Sequence, residues 1–569
     1  MSRPPPAPSV TLRLLVALLA VLAVVSVPVV SAPVADGKSY SDATDRLGIA
    51  PDATAEILAV YPNPVTYQDR GEFVLLDLPE GGNWSVADDH STAQVPGEAT
   101  GTVAVSTDPE AIEPFVEYEV VRIEEGIQLA DAGDTVRLLN DGREVDRVTY
   151  GRAPQGDVFD VRAGEWRALG ATEFESVATA PEQVEAFALP DSPEVPIEVI
   201  EGADERIVLG AYTFSSWEVA RALADAHERG VEVRVLVDGR PVGGVTEPEA
   251  EVIDWLDGRG VPIEVLDGDR ARHRFHHAKY AVADDRALVM TENWNPSGTG
   301  GRSSRGWGVV VYSPEIADYL VEVFETDTGW YDTDPWERFR ANRSFRSSEQ
   351  ATGDYPVDFE PETVTADSAR VLLAPDNAEQ EIIGKLHTAE DSILVKQVGI
   401  GDREQPFLEA TIDAARRGVE VRILLDDTWY VREDNRELAN WLNWLADEEG
   451  LDLEARLVQP RGRYEKIHAK GVVIDEKSVL VGSVNWNNHS VRENREVVVS
   501  LEGEEVGAYY AEVFMADWRG GLWEVPVGVP VAVLVAGLLA GIAARRVEWT
   551  DDLEPIDWDE DETVSEKVG

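Results

Sequence analysis

Two short segments of this chain carry the same reactive side chains at the same spacing. His277-Ala278-Lys279 with Asp284 reads H-x-K-x4-D, and His468-Ala469-Lys470 with Asp475 reads it again. An imidazole gains and loses a proton near neutrality, so it can attack, donate or accept. A lysine ammonium is a compact cation suited to an anionic oxygen. One such segment in an acidic chain is within reach of chance. Two inside duplicated surroundings point to one site assembled from two halves.

Side chains two apart on an extended strand share a face. His277 therefore points with Lys279, and His468 with Lys470. Asp284 and Asp475 lie seven residues beyond their histidines, on opposite parity and at a turn, which predicts a local, supporting role. The pattern around each motif is strand, tight turn, strand: 278–283, 284–285 and 287–290 in one copy, 469–474, 475–476 and 479–481 in the other. Each second strand runs into Asn293-Trp294-Asn295 or Asn485-Trp486-Asn487, bringing an amide back beside the histidine and lysine. Lys279, Lys470, Asn293 and Asn485 could hold the non-bridging oxygens of a phosphodiester while one imidazole attacks phosphorus and the other protonates the leaving oxygen. Such a set needs no metal or other cofactor, because the lysines supply the charge.

The elements that must position these residues are themselves repeated. Ala222–Asp238 (ALADAHERGVEVRVLVD) parallels Ala410–Asp426 (ATIDAARRGVEVRILLD), and Tyr319–Asp327 parallels Tyr510–Asp517, each at an offset of about 190 residues, the offset of the motifs. Both copies read as buried strand (207–211; 393–397), helix, strand (231–237; 419–425), helix, then motif. The fold class is α/β: two tandem domains, 190–345 and 367–523, related by a pseudo-twofold and joined by 346–366. One chain then holds a complete site, and dimerisation is not required. Ahead of them, 55–169 alternates short apolar runs with turn residues, which predicts an all-β, immunoglobulin-like sandwich.

The ends carry targeting signals. Arg3 and Arg13, the apolar run 14–30 and Val30-Ser31-Ala32 read as a signal peptide over 1–32, followed by a linker over 33–54. Residues 525–544 form an uncharged run long enough to cross a bilayer, and Arg545-Arg546 place the acidic tail 545–569 in the cytoplasm. The expected location is the cell membrane, single-pass, with the catalytic domains outside.

Composition narrows the partners. With 50 Lys+Arg against 108 Asp+Glu, a net charge of −58 and no cysteine, the chain would repel a free polyanion at low salt and forms no disulfide or thiolate site. At molar salt the Debye length falls to about 3 Å, which weakens that repulsion. The scarcity of Lys, Met and Cys resembles proteins adapted to high salt. Arg270, Arg272, His273, Arg274, His276, Arg461, Arg463 and Lys466 precede the motifs as basic islands in this acidic background, suggesting anion attraction confined to a cleft. His276 should face away from His277.

From Pro196 to Trp523 the chain resembles the phospholipase D superfamily. The second copy follows that pattern with Gly482-Ser483-Val484-Asn485 and Asn494-Arg495-Glu496; the first departs, with Met290-Thr291-Glu292-Asn293 and Ser304-Arg305-Gly306. The resemblance implies a covalent phosphohistidine on His277, with His468 as general acid and then base. It also implies supporting roles for Thr291, Ser483 and Glu496, and substrate contacts from Arg305 and Arg495. Met290 and Glu292 alter the shape and charge expected of the first half. Ile57–Pro64 (ILAVYPNP), Gly71-Glu72-Phe73-Val74 and Leu139-Asn140-Asp141-Gly142 resemble a lamin-tail domain. The expected activity is an exported, membrane-anchored phosphodiesterase acting on phospholipid. An extracellular nuclease of the same superfamily and a surface adhesion protein with a vestigial catalytic pair are the alternatives.

Overall fold

A computed structural model describes residues 55–520, apart from 65–70, 114–115, 117, 125–126, 268–271 and 330–331. The signal peptide, first linker, membrane span and tail expected from the sequence lie outside the described residues. Among the described residues, no helix is long and apolar enough to cross a membrane.

Each repeat is built on one mixed sheet. The first sheet runs, edge to edge, Thr333–Pro335, Ile263–Leu266, Glu232–Asp238, Arg206–Ala211, Tyr280–Ala283, Arg286–Met290, Ser304–Tyr312, Glu182–Leu189 and Glu362–Ala366. The second runs Leu453–Leu457, Glu420–Leu425, Ser392–Gln397, Gly471–Ile474, Ser478–Gly482, Glu496–Glu502, Ser368–Ala374 and Val177–Thr179. The central strands are Val/Ile/Leu-rich and buried along most of their length, as strands covered on both faces must be.

The covering helices are set by their ends. In Trp217–Arg229, Ser216 accepts from the Val219 N–H and Gly230, at φ 97°, ends the helix. In Pro406–Arg417, Gln405 and Gly418 (φ 101°) do the same. Both helices bury an Ala/Leu stripe against their sheet.

The repeats are interlocked by exchanged edge strands. Val177–Thr179, which precedes the first repeat, pairs with Ser368–Ala374 of the second, while Glu362–Ala366, which precedes the second, pairs with Glu182–Leu189 of the first. The first repeat's sheet thus starts before residue 190, and the segment 346–366 contributes a strand to it. A single apolar cluster, including Trp307, Val309, Leu320, Val497, Tyr510 and Phe514, runs through both repeats. The Tyr510 hydroxyl donates to the Gly308 carbonyl at 2.6 Å across that junction. A site spanning it is therefore held on packed sheets rather than on loops.

The N-terminal region is a two-sheet sandwich, as its alternation predicts. Six strands face four, and Val60, Leu76 and Val103 of one sheet pack with Val86, Val136 and Leu138 of the other. It touches the second repeat through Gln155, whose side chain accepts from Asn488 at 2.6 Å.

Candidate active site

Each motif enters the site by pairing with the opposite repeat. The His277 N–H donates to the Arg495 carbonyl at 3.0 Å, and the His468 N–H donates to the Arg305 carbonyl at 3.0 Å. Just upstream, buried Asp238 accepts from the His276 N–H at 2.6 Å and buried Asp426 from the Ile467 N–H at 2.8 Å. These two carboxylates end the duplicated VRVLVD and VRILLD stretches, where the repetition itself is the signal for them.

The crossed pairing gives each imidazole a carboxylate. His277 Nδ1 lies 2.9 Å from Glu496 Oε2, and His468 Nδ1 lies 3.2 Å from Glu292 Oε2. With Nδ1 hydrogen-bonded in His277 and facing a carboxylate in His468, Nε2 is the nitrogen left for chemistry. The strands begin just after the lysines, at Tyr280 and Gly471, two residues later than the sequence predicts, so each His-x-Lys segment leads into its strand. Lys279 Nζ donates to the His277 carbonyl, and Lys470 Nζ donates to the His468 carbonyl at 2.7 Å. Lys279 and Lys470 are buried, and each feels the field of both Glu292 and Glu496. Asn293 Oδ1 is buried and accepts no hydrogen bond, so that oxygen has capacity for a donor.

Residues 197–328 and 382–518 match the family described as Cardiolipin synthase, PLD-like domain. Both repeats are phospholipase D-like domains. A Phospholipase D of Rickettsia bellii is 29% identical over 145 residues, 25% of this chain and 64% of that one. Cardiolipin synthase A of Yersinia pestis is 30% identical over 107 residues, 19% of this chain and 21% of that one. The phosphatidylserine synthase structure from Haemophilus influenzae is similar at TM-score 0.46 and 16% identity, covering 65% of this chain and 95% of that one. The chain thus spans 64% of the length of the rickettsial relative.

Other residues of this phospholipase D-like site support rather than react. Asp284 accepts from the N–H groups of Asp204, Glu205 and Arg206, and Asp475 from those of Glu390, Asp391 and Ser392, at 2.7–3.0 Å. Both sit at positive φ in their turns and tie the motif hairpin to the neighbouring antiparallel strand. Thr291 and Ser483 accept from the Trp307 and Val497 N–H groups at 3.0 Å, latching two strands together. His276 is buried, and Trp294 is core, its indole donating to the Gly210 carbonyl at 3.1 Å.

The structure corrects the assignment of Arg305 and Arg495 to substrate. Both are fully buried: Arg495 forks onto Asp327 and Asp376, and Arg305 pairs with Asp191 and Asp517. Position in the motif fixed their neighbourhood, but the side chains turn into the junction between repeats. The basic islands are corrected too. Arg274 pairs with Glu493, Arg463 with Asp517, and buried His273 lies 3.7 Å from Asp327. Arg270 lies outside the described residues.

Tyr212 was not legible in the motif. Its ring meets that of His277 edge-on at 4.6 Å, its hydroxyl accepts from the Val242 N–H at 2.6 Å, and Lys279 Nζ lies 5.1 Å from the ring centre. The second repeat has Val398 at this place, by the offset that pairs Ala211 with Gln397. The two half-sites are therefore unlike in shape.

Burial dominates the electrostatics. It pushes His277 and His468 down to about 4 against the pull of Glu496 and Glu292, and pushes Lys470 down to about 8 against both carboxylates. Falling pH protonates an attacking imidazole only near 4; rising pH strips the Lys470 charge near 8. The kcat/KM profile on a phosphodiester should accordingly decline above about pH 8, where Lys470 loses its charge. A profile level to pH 10 would contradict the role given to Lys470.

Proposed function

We propose that this chain is an exported, membrane-anchored phospholipase D-type enzyme that cleaves or transfers the phosphodiester of a phospholipid through a phosphohistidine on His277. The observation that carries this reading is the pair of imidazoles, each with Nδ1 within 3.2 Å of a buried carboxylate and followed two residues on by a buried lysine. His277 Nε2 attacks phosphorus; the P–N bond forms as the bond to the leaving oxygen breaks, and His468 gives that oxygen its proton. Water or an alcohol then attacks phosphorus and passes a proton to His468 as the P–N bond breaks. The two lysines and the two asparagine amides offset charge on the non-bridging oxygens. In the free site burial keeps both imidazoles neutral, and the anionic phosphodiester favours the proton that His468 must carry.

Lipid is favoured over nucleic acid by the net charge of −58 and by the loop after Asp426. There Trp429 is 84% exposed and meets Tyr430 edge-on, an amphipathic pair suited to a bilayer surface. The run 525–544 supports anchoring, the sandwich supports a lamin-tail-like accessory module, and the composition supports a high-salt setting. The full chain in high salt should release head-group alcohol from phosphatidylcholine or phosphatidylglycerol vesicles and leave single-stranded DNA intact. DNA cleavage with inert vesicles would replace this reading by the nuclease.

A further inference from the structure

The carboxylates that hold the two histidines come from different places in the two repeats. The strand latches give the register. Thr291 and Trp307 exchange N–H donors onto the Trp307 carbonyl and Thr291 hydroxyl at 2.9 and 3.0 Å, and Ser483 and Val497 do the same at 3.0 and 3.0 Å. Position 306 is therefore the counterpart of 496, and 292 the counterpart of 484. In the second repeat the pair is Val484 and Glu496; in the first it is Glu292 and Gly306. The glutamate has changed strands, and an apolar or absent side chain stands where its partner copy has the acid.

Space makes the two choices depend on one another. A Cβ at Gly306 would lie 2.1 Å from Glu292 Cγ and 2.5 Å from its Oε1. Contacts that short force one group to move, so Glu292 fills the room that a side chain at 306 would need. Glu292 still delivers its Oε2 to within 3.2 Å of His468 Nδ1, as Glu496 Oε2 reaches to 2.9 Å from His277 Nδ1. We propose that Glu292 is the positioning residue for His468, relocated from position 306, and that Gly306 is glycine because the relocated side chain occupies its space. The unusual first-copy sequence is then an alternative construction of an intact half-site. Met290, the other departure, is fully buried in the first-repeat core, away from the role its bulk suggested.

The proposal rests on the site being the phosphodiester site proposed above, and its test separates the two. In the full chain, Glu292→Gln, Glu292→Val and Gly306→Glu should each lower kcat by about 10- to 100-fold, the usual cost of losing an orienting partner. The double variant Glu292→Val with Gly306→Glu, which copies the second repeat, should recover to within about 3-fold of wild type. Nitrogen-15 spectra of histidine-labelled protein should show the His468 tautomer disturbed in Glu292→Gln and restored in the double variant. Wild-type His468 signals in Glu292→Gln, or a double variant no better than Glu292→Val alone, would overturn the relocation. An inactive wild type with the predicted His468 spectra would uphold it while removing the activity proposed for the site.

Discussion

Replacing either His277 or His468 by alanine should lower kcat by at least about 10,000-fold, while the protein still unfolds at close to its wild-type temperature. The two residues act as one unit, since the first step needs a nucleophile and an acid together and the second needs a base, so the double variant should be little worse than either single one. Both side chains lie just ahead of their packed strands, which begin at Tyr280 and Gly471, and His277 is 8% exposed. The loss should therefore fall on turnover and not on folding. A small additional effect separates the two: removing His277 also takes away the ring against Tyr212. Activity surviving in both single variants would refute the assignment.

The largest stability effect should come from a residue that the motif alone assigned to substrate. Arg495→Ala leaves Asp327 and Asp376 buried without the guanidinium that bonds them at 3.1 Å or less, and removes the donor to Thr172 Oγ1 at 2.7 Å. Breaking a buried ion pair from one side costs about 3–5 kcal/mol, because the stranded charge is the main penalty. Asp327 is held well below the ordinary carboxylate range; burial pushes it up, and Arg495 together with His273 and His276 outweighs that. Arg495→Lys keeps the charge but loses the fork, so it should fall between wild type and alanine. Urea or thermal unfolding measures this directly. A normal stability with a raised KM would return Arg495 to the substrate.

Strand parity and duplication made the core of the site legible in the sequence. They placed His277 with Lys279 and His468 with Lys470, and set Asp284 and Asp475 apart as local braces, because a period of two is a property of any extended chain. The α/β repeats and the β-sandwich were legible for the same reason: their strand and helix patterns are local. What escaped depends on contacts between repeats. The exchanged edge strands Val177–Thr179 and Glu362–Ala366 look like ordinary linker until the opposite sheet is seen. Arg305 and Arg495 stand beside catalytic positions in sequence, yet their partners Asp517 and Asp327 come from helices of the other repeat. Glu292 read as an intruding negative charge because the empty space at Gly306, which explains it, belongs to a neighbouring strand. Tyr212 carries no motif at all; only the fold brings it to His277.

The central claim is that two repeats of one chain form a single site in which His277 becomes covalently bonded to phosphorus. A short-chain phosphatidyl p-nitrophenol, whose leaving group departs without a proton from His468, can be offered to His468→Ala protein, the reaction stopped under alkaline conditions and the peptides read by mass spectrometry. A phosphatidyl adduct is expected on the peptide carrying His277, absent from His277→Ala protein. An adduct on His468 in the converse variant alone, or none on either histidine in protein that turns over substrate, would contradict it.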